Sequence, residues 1–314
     1  MFDKDSLIRV SCNLCGRNKT KFITTRPDGL KVVECLNCGL AYLNPRPRGG
    51  VIFGLYDENY YQGRTQLKSY DNYIEETLKS LEDGTNAGFQ IIKRIATYKE
   101  LKDSRLLDIG CACGAFLVIA RSWKAKVEGL EISNFSAEWG RESFGLEIKT
   151  GTLETIRYSA NSFDLVTMFD LVEHLTDPTS FFRDVYRITK NGGLICVVTP
   201  NYHCKEKYGK SWIGFNMSLE HIYFFDKESL GKMLDKVGFK ILHIETMETL
   251  SAIQKSVYFK QDLNKAFSKL RNILTKMPPI FYLARYFWRA YNSFLGKINE
   301  KTGFGHGLLV IAKK

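Results

Sequence analysis

Two features that would place a protein in or across a membrane are missing from this 314-residue sequence. No stretch reaches about 18 uncharged apolar residues, so we expect no membrane-spanning helix. The N-terminal residues MFDKDSLIRVSC contain early acidic residues and no apolar stretch, unlike a secretory signal. We therefore expect a cytoplasmic protein, in whose reducing surroundings closely spaced cysteines are more often metal ligands than disulfide partners.

Acidic residues are scarce at both ends of the chain. Of the net charge of +11, residues 251–314 contribute +10 and residues 1–50 contribute +5, so the middle of the chain sums to −4. A basic C-terminal region suggests an anionic partner, such as lipid head groups, nucleic acid or a phosphorylated carrier. A solvated basic surface without any such partner explains the same composition.

Four of the eight cysteines form two CxxC pairs near the N-terminus. Cys12 and Cys15 are followed by Cys35 and Cys38, and a glycine follows each pair. Four thiolates at this spacing predict a closed tetrahedral zinc site, and the alternating residues between the pairs predict the strands of a zinc ribbon. A redox pair and ordinary core cysteines are the alternatives. Because a closed site has no open coordination position, we expect the zinc to be structural.

The domain organisation follows from composition. The stretch NPRPRGG is typical of a linker and places the ribbon at residues 1–50. Residues 51–100 form a linker and an aromatic segment that is predicted to be helical from about Ser69. Its tyrosines either pack on the next domain or cover a ligand. Residues 101–314 form the main domain, with a helical basic insertion at about 250–303.

Strands and helices alternate regularly from Arg105 onward. Short apolar strands are predicted at RLLDIG, KVEGLEIS, EIKTG, FDLVTMFD, GLICVVTPN and KILHIET. Helices are predicted at GAFLVIARSW, NFSAEWGRESFG, DPTSFFRDVYRIT and KESLGKMLDKVGF. This order is typical of a parallel sheet with helices on both faces. Ligands of such sheets bind at the carboxyl ends of the strands.

The segment DIGCACG follows the first of these strands and predicts a tight turn. Gly110 permits the turn and Gly114 lets the next helix start close to a ligand, while Ala112 is small enough to keep that approach. A CxC pair without a second pair nearby is poor metal geometry, so a ligand-binding turn is favoured over a metal site. Glu131 ends the next strand, where a carboxylate is suited to accept both hydroxyls of a ribose.

The blocks DIGCACG, LEIS, SFDLVTMFDLVEHLTDP and GGLICVVTPN resemble the class I S-adenosylmethionine-dependent methyltransferases. The resemblance covers about residues 100–245 and the last predicted strand, GHGLLVIAKK. It implies an α/β fold with a Rossmann-like sheet of seven strands, of which the last is antiparallel, and S-adenosylmethionine as cofactor. The CxxC pairs and EHIYFFDKESLGKMLDKVGF resemble a subgroup found in polysaccharide and natural-product pathways. Ala112, where the family often has glycine, is the one departure.

The resemblance also implies where the cofactor binds. Its methionine part is expected near Asp108, Gly110 and Gly114, and its ribose at Glu131. The adenine is expected beside Thr152 and Leu153, and the sulfonium near Phe169 and Asp170.

Histidines near the expected cofactor are the candidate catalytic bases. His174 follows the fourth strand of the main domain, His203 follows the fifth, and His221 follows Glu220. We favour His174 and His221, because both lie in segments expected over the mouth of the cofactor site. Glu173 and His174 are alternatively suited to hold a divalent metal.

The C-terminal insertion has a basic amphipathic pattern. Residues 263–297 combine leucines and aromatics at helical spacing with lysines and arginines, and include the segment IFYLARYFWRAYNSFL. Such helices lie on anionic membrane surfaces, which would place the enzyme peripherally on the inner face of the membrane, next to a lipid-linked glycan. A helical lid or a dimer face is the competing interpretation.

Three functions remain open from the sequence. The first is methyl transfer to a sugar or other small-molecule acceptor, most simply a hydroxyl, in glycan or secondary-metabolite biosynthesis. The second is an RNA methyltransferase that uses the ribbon and the basic ends. It is disfavoured because MFDLVEH stands where base methylation usually has an Asn/Asp-Pro-Pro-aromatic run. The third is a non-catalytic protein that kept the cofactor pocket. The oligomeric state is not predicted.

Overall fold

A computed structural model describes residues 6–48, 58–62, 72–216, 220–248 and 297–314. The strands are β1 Leu7–Ile8, β2 Thr20–Thr25, β3 Lys31–Cys35, β4 Ala41–Leu43, β5 Arg46–Pro47, β6 Arg105–Ile109, β7 Lys126–Glu131, β8 Ile148–Thr150, β9 Phe163–Phe169, β10 Thr189–Pro200, β11 Tyr223–Phe224, β12 Lys240–Met247 and β13 Gly307–Lys313. The helices are α1 Glu58–Tyr61, α2 Tyr73–Glu82, α3 Gly88–Ala96, α4 Ala115–Ser122, α5 Asn134–Phe144, α6 Leu153–Ile156, α7 Pro178–Ile188, α8 Lys205–Tyr208, α9 Ile213–Asn216 and α10 Lys227–Val237. Residues 297–302 are also helical.

The main sheet has seven strands in the order β12-β13-β10-β9-β6-β7-β8. The five strands from β10 to β8 are parallel to one another, whereas β13 is antiparallel to both of its neighbours. The predicted fold class, including the antiparallel last strand, is confirmed. Leu106 and Leu107 of β6 belong to the cores on opposite faces of the sheet, as a central strand covered on both faces requires.

Helix ends on one face of the sheet follow from local capping. Helix α7 starts at Pro178, and the side chain of Asp177 accepts a hydrogen bond from the Ser180 amide at 2.9 Å. Helix α10 starts with a capping box between Asp226 and Ser229. Both helices bury apolar side chains against the sheet and thereby fix the loops that precede them.

The N-terminal cysteine-containing segment is joined to the main domain by a shared sheet. Strands β2, β3 and β4 form an antiparallel sheet whose fourth member, β11, comes from beyond β10. Tyr42 pairs with Tyr223, and the Leu43 amide donates to the Ile222 carbonyl at 2.9 Å. Leu40 and Tyr42 belong to the same buried cluster as Phe182 and other residues of the main domain. The two parts therefore share one hydrophobic core.

The opposite face of the main sheet is covered in part by α3, which lies within residues 51–100, where a helical segment from about Ser69 was predicted. Ile91, Ile92 and Ile95 of this helix are buried in the cluster that contains Leu106 and Ile119. Their spacing is the ordinary signal of an amphipathic helix. Helix α3 therefore completes the second core of the sheet.

Two sequence predictions fall largely outside the described residues. Of the basic segment 263–297, only the last residue is described. Of the aromatic segment, residues 51–57 and 63–71 lie outside the described ranges. The helix expected from about Ser69 is described from Tyr73 onward. Within the described ranges, no helix combines the length and apolarity needed to cross a membrane.

Candidate functional site

The loop after β6 turns through three left-handed residues. Gly110, Ala112 and Gly114 have φ angles of 73°, 48° and 85°. The Gly110 amide donates to the Leu130 carbonyl at 2.7 Å, which holds the loop against the end of β7. Ala112 is the only one of the three with a side chain, and its conformation explains why glycine is common there. The predicted tight turn is thus present at the carboxyl edge of the sheet.

Glu131, at the end of β7, ties two of the edge loops together. One of its carboxylate oxygens, Oε2, accepts from the Ala112 amide at 2.8 Å, and Oε1 accepts from the Ser133 amide at 2.8 Å. The side chain is buried, and desolvation raises its pKa. Oε2 retains a second lone pair, and the second donor to Oε1 is the Tyr61 hydroxyl at 3.4 Å, a long bond that a ligand hydroxyl can replace. The carboxylate therefore fits a ligand diol without losing its backbone bonds.

The strands beside β7 and β6 contribute the other predicted cofactor residues. The Gly151 amide donates to the Glu131 carbonyl at 2.8 Å, which places Thr152 and buried Leu153 next to the end of β7. Phe169 ends β9 and its ring meets Phe116 edge-on at 4.7 Å. The four strands β9, β6, β7 and β8 are neighbours, so the predicted cofactor residues line one continuous edge.

Asp108 lies beneath this edge, on β6. It is 3% exposed, and its Oδ1 accepts a hydrogen bond from the Thr167 hydroxyl at 2.7 Å. Desolvation raises the pKa of Asp108 to about 7, and the Glu131 carboxylate contributes in the same direction. Asp108 therefore links β6 to β9 at a cost in free energy whenever it is ionised.

A buried cluster of Glu173, His174 and His221 lies at the carboxyl end of β9. Glu173 and His174 belong to a 3₁₀ turn, Val172–His174, and His221 immediately precedes the segment that forms β11. The Nε2 atoms of both histidines lie 3.8 Å from the same Glu173 oxygen, Oε1. The two rings meet edge-on with centroids 4.7 Å apart. The fold thus brings together the two histidines favoured as catalytic bases.

Burial sets the protonation of this cluster. It lowers the pKa of His174 to about 4 and that of His221 well below its ordinary value. It raises the pKa of Glu173, with a further contribution from Asp170. The neutral imidazoles of both histidines are therefore favoured near pH 7, and a neutral imidazole has a lone pair that accepts a proton.

Two buried atoms of the cluster have no hydrogen-bond partner in the described part of the chain. These are Oε1 of Glu173 and Nδ1 of His221, whereas Oε2 of Glu173 accepts from the Thr199 hydroxyl at 2.8 Å. Unpaired buried polar atoms are costly, so they mark a place where a ligand can supply the missing bonds. The three side chains also place one ligand atom each within 4.8 Å of one another, as a metal site requires.

Some site residues were missed or misjudged from the sequence. Glu173 is the shared neighbour of both histidines, although only its proximity to His174 was visible in the sequence. His203 is exposed and stacks on Phe304 at 4.8 Å, so it does not join the cluster. Tyr61 of α1 is buried, and its hydroxyl donates to Oε1 of Glu131 at 3.4 Å. This tyrosine therefore both packs on the main domain and covers the expected ribose position.

The four N-terminal cysteines form a second candidate site. All four sulfurs lie within 4.8 Å of one another, with Cys12 and Cys38 at 3.4 Å and Cys15 and Cys35 at 3.5 Å. A tetrahedral ion with bonds of about 2.3 Å separates its ligands by roughly 3.8 Å, close to these values. The cysteines are unbridged. Four converging thiols at this spacing fit Zn²⁺.

Comparison with known proteins identifies the main domain. A family model described as "Methyltransferase domain" matches residues 79–244. The ubiquinone biosynthesis O-methyltransferase of Parvibaculum lavamentivorans is 27% identical over 129 residues, which cover 40% of this chain and 50% of that protein. Phosphoethanolamine N-methyltransferase 1 of Triticum aestivum is 26% identical over 196 residues, covering 60% and 38%. The chain spans about half the length, or less, of these curated relatives.

Solved structures share the fold. The phosphoethanolamine N-methyltransferase 2 of Haemonchus contortus, solved with S-adenosyl-L-methionine, matches with a TM-score of 0.52 and 18% identity. The match covers 87% of this chain and 62% of that one. At this level of identity the comparison concerns the fold alone.

The raised pKa of Asp108 predicts a pH-dependent effect on stability. The folded protein keeps this proton to about pH 7, whereas an unfolded chain releases it near about pH 4. The unfolded state therefore binds fewer protons between these values, and the free energy of unfolding falls as pH rises through this window. Replacing Asp108→Asn keeps the acceptor for Thr167 and removes the titration.

We expect Asp108→Asn to be more stable than wild type at pH 8 by a few kcal/mol, since each pKa unit corresponds to about 1.4 kcal/mol. The gain should shrink as pH falls towards 4. Urea unfolding at several pH values measures it, with the exposed Asp103→Asn as control. A gain of the same size at pH 4 and pH 8 would contradict this account.

Proposed function

Because this chain belongs to the methyltransferase-domain family, we propose that it binds S-adenosylmethionine and transfers the methyl group to a small-molecule acceptor. The acceptor atom we propose is a hydroxyl oxygen, on a sugar or another small molecule of glycan or secondary-metabolite biosynthesis. Relatives named as O-methyltransferases support an oxygen acceptor. The observation that carries the proposal is the convergence of buried His221 and half-buried His174 on one carboxylate oxygen of Glu173, beside the edge where the cofactor is proposed to bind.

The cofactor is held by the loops at the ends of β6 to β9. Glu131 accepts the two ribose hydroxyls while its backbone partners keep it in place. Gly110 and Gly114 let the main chain approach the methionine part, and Thr152 and Leu153 lie beside the adenine. Phe169 and Asp170 are next to the sulfonium. These assignments follow the position of each residue along one strand edge.

The acceptor is bound at the Glu173–His174–His221 cluster. When bound, S-adenosylmethionine supplies an electrophilic methyl group on a positively charged sulfur. Nδ1 of His221 would accept the proton that the acceptor hydroxyl loses on methylation. Glu173 and His174 keep the imidazole of His221 in place, and burial of Glu173 and His221 excludes water from the reacting atoms. Much of the rate then derives from alignment of the two substrates.

The four N-terminal cysteines, we propose, hold one Zn²⁺. Its role is structural, because the four thiolates fill a tetrahedral coordination shell. The ion closes the base of the β2–β3 hairpin, where Cys35 pairs with Thr20.

Loss of the Glu131 carboxylate should weaken cofactor binding. The variant Glu131→Gln keeps the shape but replaces one acceptor oxygen with a donor. Affinity for S-adenosylhomocysteine should fall about 10- to 100-fold, the range for hydrogen bonds to a charged group. Isothermal titration calorimetry measures it. Glu128→Gln, on the same strand and paired with Lys149, is the control and should bind like wild type. No binding by the wild-type protein would refute the cofactor assignment.

Loss of the proposed base should affect turnover and leave cofactor binding intact. We expect His221→Gln to lower the rate by about 10²- to 10⁴-fold, the usual contribution of a general base. The rate is followed by release of S-adenosylhomocysteine with a panel of nucleotide sugars and simple glycosides. His203→Gln, outside the cluster, should retain wild-type turnover. If His221→Gln also turns over normally, His221 is not the base.

Metal content tests the cysteine site. Purified wild-type protein should carry one zinc per chain, and Cys38→Ser should carry almost none, as measured by plasma mass spectrometry. Cys196→Ser alters a buried cysteine of β10 that lies outside the cluster and should keep its zinc. Equal zinc content in both variants would contradict the assignment of the four cysteines as zinc ligands. A second metal equivalent per chain would favour an ion at the Glu173–His174–His221 cluster.

A further inference from the structure

The carbonyl of the candidate base His221 is held by an arginine of the N-terminal segment. Nη1 of Arg26 donates to the His221 carbonyl at 2.7 Å, across a large separation in sequence. The Arg26 side chain is 0% exposed. A fully buried guanidinium is rare unless all its surroundings are arranged for it, so its position against the site calls for a physical explanation.

The turn that contains Arg26 fixes the orientation of its side chain. Arg26 begins the tip of the β2–β3 hairpin, and its amide donates to the Leu30 carbonyl at 2.9 Å. Gly29 has a φ of 85°, which the tight tip requires. The Asp28 carboxylate pairs with Nε and Nη2 of Arg26, and it also accepts from the Leu30 amide at 3.1 Å. This fork fixes the plane of the guanidinium and leaves Nη1 for His221.

Three hydrogen bonds fix the backbone at the His221 carbonyl and at the next residue, Ile222. The Arg26 bond holds the His221 carbonyl, and the Leu43 amide holds the Ile222 carbonyl at 2.9 Å. The Ile222 amide donates to the Glu173 carbonyl at 2.8 Å. Two of these bonds come from the N-terminal segment and one from the turn that carries Glu173. The imidazole direction of His221 is set by this backbone.

We propose that Arg26 is a positioning residue: by holding the His221 carbonyl, the tip of the β2–β3 hairpin keeps the His221 imidazole against His174 and Glu173. The cysteine-containing segment is then part of the reaction centre, with its metal site at one end of the hairpin and Arg26 at the other. This inference rests on the proposed function, since it assigns His221 a catalytic task.

The test follows histidine side chains directly and needs no acceptor. The chain has five histidines, whose imidazole carbon-bound protons are resolved by NMR and assigned with single His→Gln variants. In Arg26→Met we expect the His221 and His174 signals to shift, because their rings are in contact. The signals of His203, His243 and His306 should stay in place.

Two further variants make the result specific. Arg26→Lys keeps the charge and one donor, so its His221 signal should lie between those of wild type and Arg26→Met. Arg26→Lys also provides the test if the Arg26→Met variant does not fold. Arg9→Met, the same change at an exposed arginine of the N-terminal segment, should leave all five signals unchanged.

The outcomes separate this proposal from the proposed function. Unchanged His174 and His221 signals in Arg26→Met overturn the positioning role, and so does displacement of all five signals in both Arg26 variants. Binding of S-adenosylhomocysteine, measured by calorimetry on the same samples, should remain within about twofold of wild type, because the changed contact is outside the cofactor loops. Absent binding in wild type refutes the function while leaving the histidine result intact.

Discussion

Parallel pairing of β6 with β7 and β9 is the constraint from which the site follows. Parallel neighbouring strands end at the same edge of a sheet, so the strand order alone brings the loops after these strands together there. Two side chains then lock the arrangement: Asp108 bonds across to β9, and Glu131 bonds to the loops after β6 and β7. Both carboxylates are buried, and their pKa values are raised accordingly. Burial of these two carboxylates lowers the stability of the fold when they are ionised, but their hydrogen bonds fix the geometry of the loops, as is common at functional sites.

The second half of the site depends on a contact between distant parts of the chain. Strand β11 is only two residues long, and among the described strands it pairs with β4, which makes it part of the N-terminal sheet rather than of the main sheet. This pairing carries His221 to the end of β9, where Glu173 and His174 already lie. The Glu173–His174–His221 cluster is therefore assembled within the main domain, and the cysteine-containing segment pairs with the strand that follows His221 and shares one hydrophobic core with it.

The sequence was sufficient for the elements and motifs that depend on local pattern. The strand–helix alternation, the turn with Gly110 and Gly114, and the acid at Glu131 all follow from periodicity and short spacing. The pairing of β11 with β4 could not be predicted, because two-residue strands have no periodicity and their partner is remote. The central position of Glu173 was equally hidden, since burial and the convergence of two histidines on one oxygen exist only in the folded chain. Helix α3 lies in the segment predicted to be helical, but its separation from α2 was not predicted.

The long C-terminal insertion begins and ends at adjacent positions of the main sheet. Met247 and Gly307 are register partners on adjacent antiparallel strands, so residues 248–306 connect the two arms of a hairpin. The side chain of Glu248 accepts from Asn299 at 3.1 Å and meets His306 at 2.9 Å, which closes the neck of this connection. Closing a loop costs only slightly more as it lengthens. The free energy of forming the sheet therefore depends little on how many residues the connection contains. Because the connection leaves at the carboxyl edge of the sheet, its length can vary beside the candidate site without any change to the core.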